Sequence, residues 1–172
     1  GIQDIFYDDP TVLYMSLHQD PLTLYPGTGF VHEVGSGEGE GYNVNVPLPP
    51  GTTNQSYLRA LEEVFVPLFR EYKPDMLVYL LGADTYFADP LTMLKLTLSC
   101  YSEAPKLVVD CANEVCGGRV FTILAGGYHV DAAARVFCIG TARLAEVEPP
   151  DLSDELGAPT EEDPRVTARV EK

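Results

Sequence analysis

Apolar residues in this chain come in short runs that end in glycine-rich turns. Met76-Leu77-Val78-Tyr79-Leu80-Leu81 is one such run, and Arg119-Val120-Phe121-Thr122-Ile123-Leu124 is another. Both predict strands buried in a parallel sheet, which read as near-continuous apolar stretches rather than alternating ones. Val12-Leu13-Tyr14-Met15-Ser16-Leu17-His18 predicts a further strand. Tyr42-Asn43-Val44-Asn45-Val46-Pro47 alternates polar with apolar, as an edge or half-buried strand does. Helical spacing appears between the runs. Leu58, Leu61, Phe65, Leu68 and Tyr72 share one face of a helix predicted over Asn54 to Tyr72, where Pro67 predicts a kink or an early end. A second helix is predicted over roughly Ser99 to Cys116 and stops at Gly117-Gly118, a C-cap signal. A third covers His129 to Leu144. Gly1 to Asp9 predicts a short helix or turn closed by Pro10, and Gln19 to Gly41 a long loop of the kind that usually carries function.

Strand and helix alternate, which predicts an α/β fold: a parallel sheet with helices on both faces. The pattern ends near Leu144, so residues 1–144 form the predicted domain. From Ala145 onward Pro, Asp and Glu dominate, as in Glu161-Glu162-Asp163-Pro164. Residues 145–172 therefore read as an acidic, Pro-rich tail, mobile or lying on the surface.

Charge narrows the partners. The 172 residues carry 26 acidic and 11 basic side chains, a net −15. Lys and Arg form no cluster, which argues against direct nucleic-acid binding through phosphates. Such a surface attracts cations, for example a lysine side chain or a polyamine. No apolar run reaches the ~18 residues of a membrane span. Cys100, Cys111, Cys116 and Cys138 make neither a CxxC nor a Cys/His zinc spacing. They read as small core residues in a reducing cytoplasm. Gly35-Ser36-Gly37-Glu38-Gly39-Glu40-Gly41 looks like a phosphate loop but places glutamate where glycine is needed, and reads as a flexible turn.

Two strand exits carry the chemistry. Asp84 follows the first apolar run, and Gly126-Gly127-Tyr128 follows the second. Open α/β sheets bind ligands at the carboxyl ends of their strands. Spacing alone leaves two readings of each residue. Asp84 is either a metal or catalytic carboxylate or a cap on its own turn. Tyr128 is either a site phenol or an ordinary buried tyrosine. The glycines before it let backbone approach a ligand closely.

Ordered motifs then resolve into a resemblance. Gly1-Ile2-Gln3-Asp4-Ile5-Phe6-Tyr7-Asp8-Asp9-Pro10, Tyr14-Met15-Ser16-Leu17-His18, Tyr25-Pro26-Gly27-Thr28-Gly29 and Gly41-Tyr42-Asn43-Val44-Asn45-Val46-Pro47 resemble the histone deacetylase superfamily. Leu81-Gly82-Ala83-Asp84, Asp89-Pro90-Leu91 and Gly126-Gly127-Tyr128 continue it in order. Among members the chain is most similar to prokaryotic acetoin-utilisation-type deacetylases, with acetylpolyamine amidohydrolases as cousins. The resemblance implies an arginase/deacetylase-like fold, of which this chain is the C-terminal portion. It implies a zinc-dependent amidohydrolase, with ferrous iron an alternative metal, acting on acetyl-lysine or small acetylated amines.

The same resemblance assigns roles. Asp84 matches a zinc ligand, and Tyr128 the tyrosine that stabilises the oxyanion. Tyr25 matches an aromatic wall of the substrate tunnel, with Gly126 beside the substrate. Ser16 and Leu17 match part of one potassium site; Phe6, Asp9, Val12 and Tyr42 match a peripheral one. The family's Asp-x-His ligands and its histidine pair fall ahead of the residue aligned with Gly1. The chain is therefore expected to be a C-terminal half that needs the N-terminal half for activity. The alternative is a non-catalytic half-domain or degenerate relative that works as a binding or assembly module with a partner chain.

Overall fold

The computed structural model describes residues 1–155 and 157–171. A single helical turn, α1 (Ile2–Ile5), leads into β1 (Tyr14–Gln19), which pairs in parallel with β2 (Asn43–Leu48). β3 (Leu77–Gly82) pairs in parallel with β4 (Val120–Ala125), Leu81 opposite Leu124. Among the described residues the four strands make two separate two-stranded sheets. The helix predicted over Asn54 to Tyr72 is present in three pieces: α2 (Asn54–Ala60), a π turn over Leu61–Phe65, and α3 (Val66–Tyr72). Pro67 lies in the first turn of α3. A π turn reaches back five residues instead of four, which bypasses the N–H that proline lacks. The predicted kink takes this form.

α4 (Leu98–Cys116) joins β3 to β4, and α5 (Val130–Leu144) follows β4. α4 ends where the sequence places its stop. Gly117 takes up φ 63° and Gly118 φ 74°, and the Gly118 N–H donates to the Ala112 carbonyl at 3.0 Å. α5 lies close on β3, because a Cβ at Gly140 would stand 2.6 Å from Leu81 Cδ2. The core gathers Phe65, Phe69, Leu81, Tyr86, Tyr101, Val108 and Val136 between the helices and this face of β3. Phe69 is 2% exposed and its ring stacks 5.2 Å from that of Phe65. Phe69→Ala should therefore cost roughly 3–5 kcal/mol. Urea unfolding measures this, and a loss below about 1 kcal/mol would show that Phe69 is not a core anchor.

The other face of β3–β4 is bare. Val78 and Leu80 stand beside Phe121 and Ile123, and all four are between 40% and 59% exposed. Among the described residues, helices cover one face of this pair.

The acidic segment lies on the surface and contributes a helix that the sequence did not predict, α6 (Pro164–Val170). Pro164 occupies its first turn, and Asp163 caps it by accepting from the Arg165 N–H at 2.9 Å. Glu162 accepts from the Thr53 N–H (2.6 Å), the Thr167 hydroxyl (2.8 Å) and the Ser56 hydroxyl. Asp154 accepts from the N–H of Leu98, the first residue of α4, at 2.9 Å. Two helix N-termini that lack a cap from their own Thr53 and Thr97 side chains thus receive carboxylates from the tail.

The four cysteines are free. Cys100, Cys111 and Cys116 are buried as expected, but Cys138 is exposed, because it falls on the outer side of α5. Among the described residues no helix is long and apolar enough to cross a membrane.

Candidate active site at the strand ends

β3 and β4 leave their sheet side by side, and the Ala83 N–H still donates to the Ala125 carbonyl at 3.1 Å. Asp84 comes next and is half-buried. Gly126, at φ +67°, lies directly against it: a Cβ there would be 2.6 Å from Asp84 Oδ1 and 3.0 Å from Oδ2. Gly127, at φ +95°, is equally confined, since its Cβ would stand 2.9 Å from both Ala83 Cβ and Ala133 Cβ. Only glycine combines these backbone angles with so close an approach. The two strand exits singled out in the sequence meet here.

Among the described residues no other residue donates a hydrogen bond to the Asp84 carboxylate. Burial pushes its pKa above the ordinary carboxylate value; its own backbone N–H opposes this and neighbouring Asp89 adds to the rise. A turn-capping aspartate has its oxygens occupied, so that reading does not fit. Tyr128 is 56% exposed, which removes the buried-tyrosine reading for it.

Asp84 shares a cavity of about 230 Å³ with Ser16, Leu17 and His18 of β1 and with Tyr57 and Tyr101. Burial pushes both tyrosine hydroxyls well above their ordinary range, so they stay protonated as hydrogen-bond donors. The Ser16 hydroxyl is 2.8 Å from His18 Nδ1, and His18 Nε2 is 2.9 Å from the Gly29 carbonyl. A carbonyl accepts only, so Nε2 carries a proton, and in the neutral ring Ser16 donates to Nδ1. That leaves the Ser16 oxygen lone pairs free toward the cavity. Tyr25 does not line this cavity. It is 92% exposed at the mouth of a neighbouring one, about 220 Å³, which Ser16 and His18 also line.

Three of the peripheral set, Phe6, Asp9 and Val12, follow one another in the segment before β1, and Tyr42 comes from the residue before β2. The Phe6 carbonyl accepts from the Asp9 N–H (3.2 Å), that of Asp9 from Val12 (3.4 Å), and that of Tyr42 from Tyr14 (2.9 Å). Hydrogen bonds from the Thr11 hydroxyl and N–H hold the Asp9 carboxyl below its ordinary value. Sequence reasoning gave no role to His18, Asp89 or Thr92, which hold the loops around the site. For Asp89 the signal was present, since Asp89-Pro90 is among the matched motifs.

Among the described residues no three His, Cys, Asp or Glu side chains come together as a metal site. Tight zinc sites take three or four protein ligands. The described residues thus fit one ligand of such a site, Asp84, and do not complete it.

Comparison with known proteins identifies the family. The histone deacetylase domain matches residues 1–144. A probable deacetylase of Archaeoglobus fulgidus is 46% identical over 133 residues, 77% of this chain and 36% of that protein. The acetoin utilization protein AcuC of Bacillus subtilis is 38% identical over 130 residues, 76% of this chain and 34% of that protein. The solved histone deacetylase Clr3 superposes with a TM-score of 0.83 at 30% identity, covering 99% of this chain and 28% of that one. The chain spans about a third of the length of the curated relatives it matches. It is a member of the histone deacetylase family and has part of that family's α/β arginase/deacetylase fold.

Proposed function

We propose that the protein to which this chain belongs hydrolyses the acetyl-amide bond of acetyl-lysine or of small acetylated amines, releasing acetate and a free amine. One observation carries this reading: the Gly126 backbone lies against the Asp84 carboxylate, so two family motifs converge on one point at the strand ends. In this reading Asp84 is one ligand of a zinc ion, or of ferrous iron, and the remaining ligands come from outside the described residues. The chemistry asked of the metal is Lewis-acid polarisation of the acetyl carbonyl. Tyr128 donates a hydrogen bond to the oxygen on which negative charge develops. Gly126 presents backbone to the substrate, and Tyr25 walls the approach for an extended methylene chain. Ser16 and Leu17, beside the Asp84 cavity, hold one potassium ion; the carbonyls of Phe6, Asp9, Val12 and Tyr42 hold a second. The net −15 charge suits a cationic substrate flank. Three buried free thiols suit a reducing compartment such as the cytoplasm.

The test is acetate release from an acetyl-lysine peptide and from an acetylated polyamine. It compares the 172-residue chain with the same chain joined to the N-terminal half of a deacetylase domain. Turnover by the joined form, lost on dialysis against a chelator and restored by zinc, is expected; the 172-residue chain alone is expected to be silent. Turnover unaffected by chelation would sink the zinc assignment.

The bare β3–β4 face favours a second reading, a non-catalytic half-domain that assembles with a partner chain. Native mass spectrometry of the protein from its own cells separates the two. A fixed-stoichiometry complex without acetate release supports the assembly role, and an active single chain removes it.

A further inference from the structure

Tyr128 follows two glycines in left-handed backbone, and its side chain is 56% exposed. The side chain is packed over less than half its surface, yet an oxyanion donor must stand within a few tenths of an ångström of its place. Something else has to fix the loop.

The fixture is a buried carboxylate. Asp89 is 7% exposed, and its Oδ2 accepts from the Tyr128 N–H at 2.8 Å, across 39 residues of chain. Its Oδ1 accepts from the N–H groups of Leu91 (2.9 Å) and Thr92 (3.3 Å). The Thr92 hydroxyl then donates to the Asp84 backbone carbonyl. Hydrogen bonds therefore run without a break from the backbone of Asp84 through Thr92 and Asp89 to the backbone of Tyr128. The bonds to Leu91 and Thr92 are what an aspartate makes in stabilising its own turn. The bond to Tyr128 is not local, and it occupies the second oxygen.

We propose that Asp89 is a positioning residue that ties the Tyr128 loop to the strand exit carrying Asp84, and so sets where the Tyr128 hydroxyl stands relative to that carboxylate. The role rests on the reading of Tyr128 as the oxyanion donor in deacetylation. A carboxylate supplies an acceptor oxygen on each side of the tether. Asparagine in its place offers one oxygen and turns an NH₂ group toward an N–H donor, so one side of the tether is lost.

Two measurements on the 172-residue chain test the tether whether or not the functional reading holds. In the wild-type chain, NMR should show a through-bond coupling from Tyr128 N to Asp89 Cγ; its absence overturns the proposal without any substitution. In Asp89→Asn, Tyr128 amide exchange should speed up roughly tenfold, the equivalent of one hydrogen bond. Unchanged exchange also overturns it.

The active, joined form tests the consequence. Asp89→Asn should lower kcat about tenfold, in proportion to that lost bond, with KM and metal content unchanged. In a Tyr128→Phe background the same change should cost little more, because the hydroxyl it positions is already gone. Losses that multiply, or that track metal loss, would show a general structural role and defeat the proposal. A joined form that is inactive as wild type, with the coupling present, would overturn the oxyanion reading and the positioning role together, leaving a structural tether.

Discussion

Asp84→Asn is expected to abolish turnover in the joined form while making the 172-residue chain more stable at neutral pH. The loss of activity follows from Asp84 being a metal ligand in the proposed function. Removal of mere outer-shell partners costs roughly 10–100-fold in affinity or activity, and loss of a direct ligand should exceed that. The gain in stability follows from the surroundings of the carboxylate. It is half-buried, and among the described residues no other residue donates a hydrogen bond to it. Burial holds its native pKa above the ordinary 3.8, so the folded chain binds this proton more tightly than the unfolded chain does. The contribution of this group to stability is therefore fullest below that ordinary value and is lost as pH rises through the raised native one. Asparagine has no charge to desolvate and escapes the loss. In chelator-treated buffer the variant should melt above the wild type at pH 7, and the difference should shrink toward pH 4 and below. A variant that melts at or below the wild type at pH 7 would mean that the carboxylate is not a destabilised group. A native protein that keeps such a group gives up stability for function.

Tyr128→Phe should lower kcat by about a hundredfold or more, the usual cost of one oxyanion donor. Metal content should be unchanged, since Tyr128 is not a metal ligand in the proposed function. The fold should also be unchanged, because the side chain is 56% exposed and the loop is held through the Tyr128 backbone N–H. Metal analysis, circular dichroism and single-turnover rates on one preparation separate these effects. Unchanged turnover would remove Tyr128 from the mechanism. Lost turnover together with lost metal would move it from donor to scaffold.

Much of this was legible along the chain. The strand starting near Met76 and the one starting near Arg119 showed themselves as apolar runs, and α4 announced its end with two glycines. Such signals are local: period, propensity and cap residues act over one or two turns. α6 was missed because its seven residues follow an acidic, Pro-rich stretch, and Val166 and Val170 alone, one turn apart, make too short an apolar face to stand out. Cys138 was placed inside because composition cannot tell the two sides of an amphipathic helix apart. Pro67 gave warning of a disturbance but not its form, since a π turn and a kink relieve the same missing N–H.

By itself, the sequence determined the α/β order, the family, and the two residue positions where chemistry is expected, because motif identity and periodicity are properties of neighbours in the chain. Only the tertiary structure decided that Gly126 lies on the Asp84 carboxylate, that Asp89 reaches Tyr128, that Tyr25 stands apart from the Asp84 cavity, and that the tail caps α2 and α4. Each of those contacts joins residues tens of positions apart. Their distances are fixed by how strands pair and helices pack, and short-range pattern carries no record of that.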